Sequence, residues 1–151
     1  MSKYQDRAME LRHDPTFHYN CAQAVLMPFS EKLGLTEAQA QDLGSLFAGG
    51  MYCGATCGAI TGALMALGLK YGHCELGDEE AKATMLAKKA AFEQKFAEEN
   101  GSLICRELVG YDFSKEGELE QAMNEGILLD LCPKLALSAC KIIAEMIEED
   151  D

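Results

Sequence analysis

From Leu43 to Leu69 no residue carries a charge, and within that run Gly50, Gly54, Gly58 and Gly62 recur at every fourth position. On an α-helix, residues four apart share a face, so the spacing predicts one ridge without side chains. Glycine in a helix interior costs about 1 kcal/mol against alanine. Several of them on one face need compensation, and close approach of a second helix, or of a bound group, supplies it. The run is long enough to cross a bilayer. Its Gly, Ala, Ser, Thr and Cys content gains little in lipid, however, and Gly44, Gly49 and Gly50 suggest a break. A buried central helix, from about Tyr52 to Tyr71, is therefore expected in preference to a membrane span.

The rest of the chain is also helical in pattern. Residues 2 to about 12 form a polar first helix that stops before Pro15. Asn20 is a good N-cap for a second, in which Pro28 makes a kink or an end. Thr36 and Gln39 have capping-box spacing and open a third helix, to about Ala48. Asp78 caps a long helix with an apolar stripe through Met85, Ala90, Phe92 and Phe96, closed by Asn100-Gly101. A short helix follows over Ser102–Val109, another over Glu116–Asn124, and Pro133 is expected to open the last one. Hairpin signals and alternating β-branched runs are absent. The expected fold class is all-α: one cysteine-rich helical bundle over residues 1–151, with an acidic tail at 148–151.

Lys plus Arg is 13 and Asp plus Glu is 25, a formal net charge of −12. Such a chain repels phosphate backbones, which excludes nucleic acid as the expected partner. No apolar stretch follows Met1–Arg7, so no secretory signal is expected and the expected compartment is the cytoplasm. Thiols stay reduced there, and seven cysteines cannot all pair.

Those cysteines carry the candidate chemistry. Cys132 precedes Pro133, and proline favours the first helical turn, which places Cys132 near an N-cap. Free N–H groups and the helix dipole favour a thiolate there, making Cys132 the expected nucleophile. Cys21 follows the Asn20 cap. Cys105 has Arg106 beside it as a candidate cation. Cys57 adjoins the glycine ridge, with Cys53 four residues earlier. On an intact helix that pair stands about 5–6 Å apart at Cβ, too far for a disulfide. Each cysteine alone reads equally well as a small buried hydrophobe. Together, Cys21, Cys57, Cys105 and Cys132 lie on four separate helices that a bundle can bring to one point. Four converging thiolates suit an iron–sulfur cluster or zinc, and two of them suit reversible disulfide chemistry. Gly54, Gly58 and Gly62 would give such a group room. Cys74 and Cys140 look accessory, and His13, His18 and His73 read as surface residues.

The order of motifs resembles a known family. Phe17-His18-Tyr19-Asn20-Cys21-Ala22-Gln23-Ala24-Val25 is similar to its opening signature, and Cys57-Gly58-Ala59-Ile60-Thr61-Gly62 to its central one. Cys105-Arg106-Glu107-Leu108 and Cys132-Pro133-Lys134-Leu135 are similar to the last two. This is the C_GCAxxG_C_C family of redox-active proteins, and the resemblance covers nearly the whole chain. It implies that Cys21, Cys57, Cys105 and Cys132 are the redox residues, as thiols or as metal ligands, with Cys53, Cys74 and Cys140 extra. The expected activity is that of an oxidoreductase or electron carrier, with or without an iron–sulfur cluster, serving an unidentified redox partner. The competing expectation is a binding module whose glycine ridge docks a partner helix or a second copy in a homo-oligomer.

Overall fold

Side-chain caps start four of the helices. In the computed structural model, which describes residues 1–72 and 75–150, Ser2 and Gln5 form a reciprocal capping box at the head of α1 (Lys3–Arg12). Asn20 and Gln23 do the same for α2 (Cys21–Leu26), and Thr36 with Gln39 for α3 (Glu37–Gly44). Asp78 accepts from the Ala81 N–H at the head of α5 (Glu79–Asn100). Between α3 and α5 lies α4 (Gly58–Tyr71). After α5 come α6 (Cys105–Val109), α7 (Glu118–Asn124) and α8 (Ile127–Glu149). The described residues contain no strand, only an isolated antiparallel bridge between Thr56 and Ile104. The chain is all-α. His73 and Cys74 lie outside the described residues, as does Asp151.

α8 is the spine. Leu135, Ala139, Ile142, Ile143, Met146 and Ile147 are buried along one side of it, each large side chain contributing about 1.5–3 kcal/mol. α1 lies against it through Ala8 and Leu11, and Tyr4 stacks on Phe29 at 4.3 Å between centroids. α2 and α4 pack closely together and against α8. The apolar stripe of α5 is shorter than its sequence suggests: Phe92 and Phe96 are buried, but Leu86 is half exposed. Residues 148–150 are exposed to solvent. Glu148 and Glu149 finish α8, and Asp150 accepts from Lys88 at 2.7 Å and from the Tyr71 hydroxyl at 2.5 Å.

The glycine run divides in two, which corrects the expected helix from Tyr52. Gly58 and Gly62 are on α4. A Cβ on Gly62 would stand 2.5 Å from the Ala22 carbonyl oxygen, and one on Gly58 2.9 Å from that of Phe47. These two glycines let α2 and the end of the α3 segment press on α4. Their face is filled from within the chain, which removes it as a docking ridge for a partner. Gly50 and Gly54 are not helical neighbours of that pair. They belong to a left-handed turn in which Gly49, Gly50, Met51 and Tyr52 have φ of 55°, 62°, 59° and 59°. A side chain at Gly50 would meet the Ala55 backbone at 2.5 Å. Met51 and Tyr52 hold this conformation at about 1–2 kcal/mol each. No helix among the described residues is long and apolar enough to cross a membrane.

Candidate functional site

The turn ends at Cys57, which takes the N-cap position of α4. The backbone there runs antiparallel to the segment before α6. Cys57 N–H donates to the Leu103 carbonyl at 2.9 Å, and Cys105 N–H donates to the Ala55 carbonyl at 2.6 Å. Cys57 and Cys105 each stand one residue from the Thr56–Ile104 bridge. Alternation along paired strands therefore sends both side chains to the face opposite Thr56 and Ile104. This bridge joins the segments that carry Cys57 and Cys105, which lie diagonally across it, with Leu103 and Ala55 as their direct neighbours.

The other two meet across the bundle. Cys21 is the first residue of α2, directly after its cap, and its sulfur donates to the Cys132 carbonyl oxygen at 3.8 Å. Asn20 fixes the head of α2 further by donating to the Gly44 carbonyl at 3.0 Å. Cys132 does not stand at a helix start. α8 begins at Ile127 after Gly126, so Cys132 lies in its second turn and Pro133 inside the helix. The Ile127–Leu131 run is apolar enough to extend the helix upstream. The proline ring then leaves the Leu129 carbonyl without its helical partner, and Leu129 is exposed to water.

All four cysteines line one cavity of about 150 Å³, together with Arg12, Gly58, Tyr52, Phe113 and leucines of α6, α7 and α8. Cys21, Cys57 and Cys105 are buried and Cys132 half-buried, all as free thiols. Gly54 and Gly62 do not border the cavity. Arg106 donates to the Gly54 carbonyl at 3.2 Å and does not line the cavity that Cys105 borders.

The thiols are electrostatically unlike. A hydrogen bond from Cys132 favours the Cys21 thiolate and, with the Arg12 charge, outweighs burial, lowering the Cys21 pKa to about 7. The same hydrogen bond, then burial, pushes Cys132 strongly upward. The direction favours ionisation of Cys21 over Cys132, which has no helix start beside it because α8 begins at Ile127. Burial, then the charge on Cys21, raises Cys57 to about 12, although the Ala59 and Ile60 amides pull the other way. Burial also raises Cys105 to about 11. Of the remaining cysteines, Cys140 is buried among core residues and held near 12 by burial alone. Cys53 is exposed on the left-handed turn, its thiol 3.3 Å from the Gly50 carbonyl oxygen.

Sequence reasoning did not find Arg12. It ends α1, and its guanidinium donates to the Tyr19 carbonyl, while its buried Nε has no partner. The only local signal was a basic residue in the last turn of a helix, where the dipole favours it. His13 lies on the surface, with Nδ1 3.0 Å from the Met9 carbonyl oxygen, and His18 is exposed beside Arg12.

No curated protein and no solved structure matches the chain. A family model described as "Putative redox-active protein (C_GCAxxG_C_C)" matches residues 19–146, a span that contains Cys21, Cys57, Cys105 and Cys132, and the chain belongs to that family.

Proposed function

We propose that the four cysteines form one redox centre in which Cys21 and Cys132 are the reacting pair. The observation that carries this reading is the Cys21 thiol against the Cys132 backbone carbonyl, which brings these two residues together at the wall of a cavity lined by two more thiols. The step is thiol–disulfide exchange. The Cys21 thiolate attacks a sulfur of a disulfide oxidant, the oxidant's S–S bond breaks, and one thiolate leaves. Cys132 then loses its proton and attacks Cys21 Sγ, forming the Cys21–Cys132 disulfide and releasing the second thiolate. Two electrons pass to the oxidant, and the reverse sequence returns them.

A second reading rests on all four thiols lining one cavity. A two-iron cluster takes two thiolates on each iron and would carry single electrons. Those four residues are the ligands it would use. A single zinc requires its ligands around one point. Among the described residues no group of three or more His, Cys, Asp or Glu side chains gathers to hold one ion, so a cluster and a zinc ion alike would require the four thiols to draw together.

Anaerobic purification followed by iron and acid-labile sulfide assays, then a redox titration with differential alkylation, tests the proposal. The expected result for exchange is a colourless protein in which Cys21 and Cys132 alone gain and lose protection together. Stoichiometric iron and sulfide, lost in a Cys105→Ser variant, would establish the cluster instead. Independent titration of all four thiols, with no metal, would overturn both.

A further inference from the structure

Arg12 lines two cavities. One is the cysteine cavity. The other, of about 340 Å³, is bounded by His18, Tyr19, Met123, Leu128 and Leu129, with Met123 61% and Leu129 73% exposed to solvent. Leu128 also borders both. Arg12 and Leu128 are thus a wall shared by the outer cavity and the one that Cys21 and Cys132 line. In a chain with 25 acidic residues, no Asp or Glu among the described residues lines either space, and among them Arg12 is the one unambiguously charged side chain in both. It makes no ion pair with a described residue. Its donation to the Tyr19 carbonyl holds the guanidinium in place and leaves the buried Nε–H without an acceptor.

We propose that the two cavities form one binding site for a small anionic disulfide with an apolar body, and that Arg12 is the positioning residue for its anionic group. The apolar body lies against Met123, Leu128 and Leu129. The anionic group is drawn to the Arg12 guanidinium, which brings the disulfide to Cys21. The charge complementarity is local. The net charge of −12 repels anions in general, so a fixed cation at the mouth selects which of them reach the thiols. This rests on the exchange reading above, with the substrate supplying the S–S bond that Cys21 breaks.

The test uses two aromatic disulfides: dithiobis(nitrobenzoate), which carries carboxylates, and uncharged dithiodipyridine. The full chain is used with Cys53→Ser and Cys74→Ser, and modification of Cys21 is followed by stopped-flow and peptide mass spectrometry. Arg12→Met is expected to slow the anionic reagent at least tenfold more than the neutral one, with partial recovery in Arg12→Lys. Leu129→Asp alters an exposed position that does not threaten folding, and places a carboxylate at the mouth. It also removes part of the apolar wall, so it is expected to slow both reagents, the anionic one several-fold more. Equal slowing of both reagents by Arg12→Met would mean that Arg12 serves the Cys21 thiolate alone, and overturns the proposal. An anionic rate unchanged in Arg12→Met and Leu129→Asp overturns it as well. If neither reagent modifies Cys21 in the parent, the exchange reading fails and this proposal falls with it.

Discussion

The two halves of the uncharged run place glycines at the same spacing and use them for different things. In the second half, Gly58 and Gly62 have ordinary helical backbone, and what matters is the missing Cβ, because Ala22 and Phe47 occupy its place. In the first half, Gly50 and Gly54 have φ of 62° and 71°, and what matters is the backbone they can adopt. Spacing alone therefore does not distinguish a packing surface from a turn. The boundary between the two falls at Cys57, so the packing half anchors the site and the turn half borders it.

Substitution separates the two roles. Gly62→Leu is expected to have the largest effect, about 3 kcal/mol or more in chemical denaturation, since backbone rather than a movable side chain opposes it. It also displaces Cys21, which lies next to Ala22, and so lowers Cys21 reactivity. Gly50→Ala is expected to cost about 2 kcal/mol, from positive φ together with the Ala55 contact. If Gly62→Leu were as mild as a surface change, the α2–α4 approach described here would be wrong.

The next effect compares a thiol at the boundary with one in the core. Cys57 and Cys140 both titrate near 12 in the folded protein, against 9.0 when unperturbed. The unfolded chain therefore releases these protons first as pH rises. Stability from each is fully present below about pH 9 and is lost between there and about 12, with a slope approaching 1.4 kcal/mol per pH unit. Urea unfolding of the reduced protein across that window checks the sign, and Cys140→Ala is expected to make the slope shallower. Cys21 works the other way: its contribution is present above pH 9 and lost as pH falls through about 7. The smallest expected effect is a gain. Tyr52→Gly relieves a left-handed residue and raises thermal stability by about 1 kcal/mol or less, because glycine's extra unfolded entropy offsets part of it.

Much of the fold was legible because its signals are local. Asn20, Thr36 and Asp78 cap the helices that their spacing indicates, and Gly101 ends α5 with a φ of 94°. Pro133 misled for an equally local reason. Its preference for a first turn is real, yet the five residues from Ile127 to Leu131 form helix before it. No pattern announces that Met51 and Tyr52 will hold positive φ, since non-glycine residues rarely do so. Of the site, the four cysteines could be read as an ordered set. Their pairing, and the presence of Arg12, depend on how α1 and α8 meet α2, which no spacing along the chain encodes.

The Cys21–Cys132 contact joins residues 111 positions apart. Closing so large a loop comes late in folding, after local helices and nearer contacts have formed. The depressed thiol therefore does not exist in a partly synthesised or partly folded chain, and reactivity at Cys21 reports that the topology is complete. The linkage also runs in reverse. A bond formed there would restrict the unfolded ensemble by roughly 4–5 kcal/mol in the chain-entropy account. Oxidation and folding would then strengthen each other, and the cell's redox poise would set how long each molecule stays folded.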